Sequence, residues 1–262
     1  MIGIFDSGLG GMTVTRAIER LCPDYPVLYF GDLLRTPYGS KSPEALLDYA
    51  RHNTRFLIDQ GASLIVIACN SAASTAGPTL RRELSCPVLD VIKPAVSQAL
   101  AKSRSGNIGV IGTRATIRSG IYQERIHAHQ PDYTVHSQAC PLLVPLVEEG
   151  WLKRRETKMI VKKYLRPLRE RQVDTLILGC THYPLLRPLI EPRMGKRVEV
   201  IDSSIETALA LRHFLGRNPE LERSLRAPGQ ESRFFVSDLP EPTASLANAI
   251  FGRTVHLEKV DV

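Results

Sequence analysis

Short aliphatic runs, each followed by a stretch long enough for a helix, constrain this chain more than any other feature. Nine runs read as strands: Ile2–Phe5, Val27–Phe30, Leu64–Ala68, Val88–Val91, Ile108–Ile111, Tyr133–Gln138, Thr175–Leu178, Val198–Ile201 and Arg233–Val236. Most lack the polar alternation of a sheet with one wet face, which marks strands buried on both sides. Such strands alternating with helices pack as a mostly parallel α/β sheet. The clearest helix is Pro43–Gln60, with Ser42 as its N-cap, Pro43 in the first helical position and Gly61 at its stop. Leu46, Tyr49, Ala50 and Leu57 share its apolar face. Arg217–Glu231 reads as an exposed loop or linker.

One echo divides the chain. IGIFDSG at Ile2–Gly8 returns as IGVIGTR at Ile108–Arg114, 106 residues later. Each half then carries a later aliphatic run that ends in cysteine: Cys69 in ACNSAAS and Cys180 in LGCTHYPLL. The expectation is two similar α/β lobes, each with a thiol beyond the carboxyl end of a strand, where open α/β sheets bind ligands.

Length and composition narrow the class. The 262 residues suffice for one large domain or two small ones. No run approaches the ~18 apolar residues of a membrane span, and the N-terminus reads as strand and turn rather than signal peptide, so a cytoplasmic protein is expected. The five cysteines form no CxxC pair, which argues against both a disulfide framework and a zinc centre. A net charge of +7 fits a nucleic-acid partner or an anionic small substrate. The basic residues are dispersed, and the densest run, KRRETKMIVKK, reads as the solvated face of a helix, so nucleic acid is the weaker reading.

Cys22, Cys86 and Cys140 read as small buried hydrophobes. Cys69 and Cys180 are followed at once by Asn70 and Ser71, and by Thr181 and His182. Free N–H groups at helix starts bind carboxylates and favour a thiolate. Two thiols facing one ligand from opposite lobes would invert a stereocentre without a cofactor: one, as thiolate, takes a proton and the other, as thiol, gives one. A free thiol pKa of about 8.5 keeps both forms accessible. In DSGLGG, Asp6 and Ser7 either cap the next helix or bring a carboxylate to Cys69; the GxGxxG and P-loop patterns both fail. In GDLLRTPYGSKS, the N–H groups of Tyr38 and Gly39 either hold a carboxylate or form a plain turn. By residue type alone Glu148 and Glu149 are solvated, and His182 is either structural or a proton shuttle for Cys180.

Taken together, IGIFDSGLGGMTV, YFGDLLRTPYGSKS, IVIACNSAAS, CPLLVPLVEEG and LILGCTHYPLL resemble the bacterial glutamate racemases of the aspartate/glutamate racemase superfamily, in the same order along the chain. The resemblance implies two α/β lobes with mostly parallel sheets, related by pseudo-twofold symmetry, with the active site in the cleft between them. The expected division is residues 1–95 with 210–262 in the lobe of Cys69, and 96–209 in the lobe of Cys180. It implies interconversion of L- and D-glutamate without pyridoxal phosphate or metal, supplying D-glutamate for peptidoglycan. By resemblance Cys180 deprotonates L-glutamate and Cys69 deprotonates D-glutamate. Asp6 assists Cys69, His182 assists Cys180, and Glu148 supports them. Substrate contacts fall to Asp6, Ser7, Tyr38, Gly39, Asn70, Ser71, Thr181 and His182, with Thr113 and Thr116 as further carboxylate contacts. A homodimer is expected, with no membrane association.

Two departures stand out. Ser71 occupies the place of the threonine usual in the family, and Lys93 has no ready account. Because the first motif begins at residue 2, regulation through an N-terminal extension, as in some members, is not expected. The other readings are a sister activity on the same scaffold, acting on aspartate or a hydantoin, and a basic protein that binds nucleic acid or a topoisomerase.

Overall fold

The computed structural model describes residues 1–261. All nine expected strands form, and a tenth joins them: β1 (Ile2–Asp6), β2 (Val27–Gly31), β3 (Leu64–Ile67), β4 (Val88–Asp90), β5 (Asn107–Gly112), β6 (Thr134–Ala139), β7 (Thr175–Gly179), β8 (Glu199–Asp202), β9 (Arg233–Val236) and β10 (Leu257–Lys259). They make two sheets, in the orders β10-β9-β2-β1-β3-β4 and β6-β5-β7-β8. Every pairing is parallel. The order β2-β1-β3-β4 of the first sheet recurs as β6-β5-β7-β8 in the second, so the echo is a repeat of topology as well as of letters.

The register places the two cysteines at equivalent points. Ile2 pairs with Leu64 in one sheet and Ile108 with Thr175 in the other. Cys69 lies five residues past Leu64, and Cys180 five past Thr175. The extra residues that spoil a constant sequence offset lie between β5 and β7.

Burial follows from the aliphatic runs. β1, β2, β3 and β7 are buried throughout, and fully burying one Ile, Leu or Val is worth roughly 1.5–3 kcal/mol. One apolar core runs from the first sheet across the lobe boundary to Ile108, Val110, Tyr122 and Ile177. A second core covers the other face of the β5–β8 sheet, through Leu143, Leu165, Leu176 and Ile190. The helices Ile92–Lys102 and Ser203–Gly216 pack on each other and bridge the lobes; the latter also packs on Met12–Leu21.

The helix anticipated after Ser42 runs Pro43–Asp59, its cap accepting a hydrogen bond from Ala45 N. Gly61, at φ +95°, makes the turn that ends it. The basic run lies largely on helix Arg155–Glu170, whose Val161, Leu165 and Leu168 are buried while its charges face outward. The expected loop Arg217–Glu231 is corrected: it contains helix Pro219–Leu225, pinned by buried Leu225 and by a Tyr25 hydroxyl bond to Glu222. Among the described residues no helix is long and apolar enough to cross a membrane.

Candidate active site

A cavity of about 290 Å³ opens between the lobes at the carboxyl ends of the strands. The first lobe lines it with Ser7, Tyr38, Gly39, Cys69, Asn70 and Ser71. The second contributes Thr113, Arg114, Glu148, Cys180, Thr181 and His182, with Val144 and Pro145 as an apolar wall. Asp6 and Thr116 stand just behind this lining: Asp6 is held through Thr181, and Thr116 through Ser71 and Thr113. Every residue expected to act on or hold the substrate therefore lies in or against one cleft.

The first thiol is the N-cap of helix Asn70–Glu83, directly after β3. Burial pushes the Cys69 thiol up to about 12, and the nearby Asp6 charge adds to the rise. Hydrogen bonds from Ala72 N–H and the Ser7 hydroxyl to the sulfur pull the other way. Asp6 ends β1. One carboxylate oxygen accepts from Gly8 N at 3.2 Å and Gly11 N at 2.9 Å, the other from Thr181 Oγ1 at 3.3 Å. Asp6 thus caps the following turn and also faces Cys69; the two readings of DSGLGG coexist. Burial raises its pKa, while the His182 charge and these donors oppose the rise.

The second thiol has different company. His182 Nδ1 lies 3.8 Å from Cys180 Sγ, and Nε2 lies 3.2 Å from Glu148 Oε1, close enough for an ion pair though not aligned as a hydrogen bond. Burial disfavours the imidazolium, but the Cys180 sulfur and the Glu148 carboxylate outweigh it and carry the His182 pKa up to about 10. Residue type alone made Glu148 solvated; the fold turns it inward from the end of helix Leu143–Glu148. Glu149 stays exposed.

The glycines of DSGLGG serve packing. A Cβ on Gly10 would stand 2.4 Å from Thr181 Oγ1 and 2.5 Å from His182 Nδ1. Only hydrogen fits there, so the first loop lies directly on the second thiol's turn. Thr13 fastens the contact by donating to Thr181 O at 3.0 Å, and Ser204 donates to Thr13 Oγ1 at 3.0 Å. On the opposite wall Ser71 Oγ meets Thr113 Oγ1 at 2.8 Å, and Thr113 Oγ1 meets Thr116 Oγ1 at 3.1 Å. This hydroxyl cluster also joins the two lobes. Ser71 therefore keeps the contact for which a hydroxyl suffices.

The turn that carries Tyr38 and Gly39 is held from behind. The buried Tyr38 hydroxyl donates to Asp32 Oδ2 and accepts from Asn53 Nδ2 at 3.0 Å. Asp32 also takes Arg35 at 3.1 Å and the Ser237 hydroxyl at 3.2 Å. Asp32, Asn53, Ser237, Thr13, Ser204 and Arg114 were not singled out in the sequence. Asp32, Thr13 and Arg114 sit inside quoted motifs; Asn53, Ser237 and Ser204 reach the site only through folding, and no local pattern marks them. Lys93 lies away from the cleft, beside Arg81, Glu206 and His213 in a separate cavity of about 820 Å³ that contains no thiol.

The arrangement places two thiols on equivalent turns of opposite lobes, one beside a carboxylate and one beside an imidazolium, around one small cavity. Comparisons with known proteins agree with it. The chain is 44% identical over 251 residues to a glutamate racemase of Geobacter metallireducens, covering 96% of this chain and 92% of that one. Its structure resembles that of glutamate racemase isoform RacE1 from Bacillus anthracis, with a TM-score of 0.93 and 36% identity, covering 100% of this chain and 97% of that one. It also resembles glutamate racemase from Francisella tularensis in complex with D-glutamate, with a TM-score of 0.89 and 35% identity, covering 99% and 96% of the two chains. The Asp/Glu/Hydantoin racemase profile matches residues 2–211, and with that match this chain belongs to the Asp/Glu/Hydantoin racemase family.

Proposed function

We propose that the protein is a glutamate racemase that interconverts L- and D-glutamate with two thiols and no cofactor. The observation that carries this reading is the pair Cys69 and Cys180, at equivalent register positions and on opposite lobes of one cavity. Opposed bases suit inversion at carbon: the proton leaves one face of the α-carbon and another is delivered to the opposite face. The near relatives, named as glutamate racemases, support glutamate over aspartate or a hydantoin.

In this reading Cys180, as thiolate, takes the α-proton of L-glutamate, and the Cys69 thiol protonates the far face. The reverse order serves D-glutamate. The His182 imidazolium stabilises the Cys180 thiolate, with Glu148 holding the imidazole; Cys180, protonated once it has taken the α-proton of L-glutamate, gives a proton back to carbon in the reverse direction. Asp6 receives and returns the proton of Cys69. Substrate carboxylates are held by the N–H groups of Tyr38 and Gly39, by Asn70 and Ser71, and by Thr113, Thr116, Thr181 and Ser7. Residues 1–95 with 210–262, and 96–209, are the two lobes that hold these groups. A cytoplasmic homodimer that supplies D-glutamate to peptidoglycan synthesis completes the reading; sedimentation velocity tests the dimer.

The direct test is circular dichroism of L-glutamate with purified protein, in buffer free of pyridoxal phosphate and containing a chelator. Decay of the signal to zero is expected. A flat signal with glutamate, and decay with aspartate or a hydantoin, would move the assignment to a sister activity.

A further inference from the structure

Asn70 is 2% exposed, and its Nδ2 has no hydrogen-bond partner although it belongs to a cavity-lining residue. A buried amide –NH2 without an acceptor costs about 1–3 kcal/mol, so the cavity presents a donor prepared for a ligand. The amide's other end is occupied. Tyr122 Oη donates to Asn70 Oδ1 at 2.6 Å across the lobe boundary. Burial, with the nearby Cys180 charge, raises the Tyr122 pKa, so the phenol remains a donor. Opposite an O–H donor an asparagine must present its oxygen, which leaves the –NH2 facing away.

Tyr122 also touches the second thiol's turn. Its ring lies beside Gly179, where a Cβ would stand 3.3 Å from Tyr122 Cε2 and 2.7 Å from Ile111 O. Gly120, at φ +68°, turns the chain into helix Ile121–His127 and sends this ring under the strand end. One side chain thus contacts the residue after Cys69 and the residue before Cys180.

We infer that Tyr122 is a positioning residue, whose hydroxyl fixes the Asn70 amide with its –NH2 toward a substrate carboxylate while its ring braces the Cys180 turn. The inference rests on the reading of the cleft as the glutamate site. Tyr122→Phe keeps the ring and removes the donor. It should raise KM for both enantiomers by roughly threefold to tenfold, the worth of one orienting hydrogen bond, and change kcat less. Asn70→Ala should raise KM at least as much, and adding Tyr122→Phe to it should change KM no further. A structural role alone would give additive losses. 4-Aminophenylalanine at position 122, which retains an N–H donor, should restore KM. If the phenylalanine variant does not fold, 4-fluorophenylalanine against 4-aminophenylalanine at the same position carries the same contrast. An unchanged KM in Tyr122→Phe, additive losses, or failure of the amino analogue to restore KM would overturn the inference. Absence of glutamate racemisation by the parent protein would instead overturn the functional reading beneath it.

Discussion

The two thiol turns occupy the same place in the repeated topology and have opposite electrostatic surroundings. Cys69 caps a 14-residue helix and faces the Asp6 carboxylate. Cys180 stands two residues before His182, the cap of a 3-10 turn, Tyr183–Leu186, that runs on into helix Arg187–Met194, and it faces the imidazole of His182. A long helix offers aligned N–H groups to a capping sulfur; a sulfur set back from the helix start meets fewer. Set back from the helix start, Cys180 has the His182 imidazolium beside it instead. Burial and a carboxylate push the Cys69 thiol up to about 12, while the other turn holds a histidine raised to about 10. A duplicated scaffold thus gives its two thiols unlike neighbours.

Removing either thiol breaks the comparison outright. Cys69→Ser and Cys180→Ser should each lower racemisation by on the order of 10³-fold or more, within the range for lost acid–base catalysis. Near-parental kcat in either variant, followed by circular dichroism, would refute the two-base assignment. The next effect is steric. Gly10→Ala drives a methyl into Thr181 and His182, and overpacking of this kind costs roughly 1–3 kcal/mol. The melting temperature should fall by several degrees and kcat by about tenfold. In contrast Gly216→Ala, where a Cβ meets nothing within 4 Å, should leave kcat unchanged.

Asp6→Asn and His182→Asn sharpen the comparison, because each residue stands beside one thiol. Turnover should fall roughly tenfold to a hundredfold in both. The progress curves started from L- and from D-glutamate should be distorted in opposite senses in the two variants before equilibrium. Identical distortion would mean that the two turns are not specialised.

The smallest effect is on stability against pH. The folded-state His182 pKa, about 10, lies above its ordinary 6.5. Protonation of His182 therefore stabilises the fold fully below about pH 6.5. That contribution declines as pH rises and is lost above about pH 10. The melting temperature of the parent should exceed that of His182→Asn most at pH 6 and least near pH 10. A difference that grows with pH would contradict the ion pairing.

Much of this was legible in the chain, for identifiable reasons. Doubly buried strands announce themselves as aliphatic runs, and Ser42, Pro43 and Gly61 mark a helix by local chemistry. Both cysteines declared themselves by closing such runs. β10 escaped notice because only Leu257 of its three residues is buried, so the segment carries no aliphatic run. Helix Pro219–Leu225 escaped because its apolar face is little more than Leu221 and Leu225. Tyr122, Asn53 and Ser237 were invisible for another reason: their partners lie 52, 15 and 205 residues away, and only the folded topology brings them to the cleft. Glu148 shows residue type failing where tertiary context decides.

The most direct test of the central claim, two thiols on opposite faces of the substrate, is the early isotope pattern in heavy water. L-Glutamate is incubated with the protein and sampled at a few per cent conversion, and the enantiomers are separated and weighed by mass spectrometry. The account predicts deuterium at the α-carbon of the D-glutamate formed, delivered by Cys69, with the remaining L-glutamate still protiated. Deuterium entering both enantiomers at similar rates, or D-glutamate that keeps its original proton, would mean one base serving both faces and would contradict it.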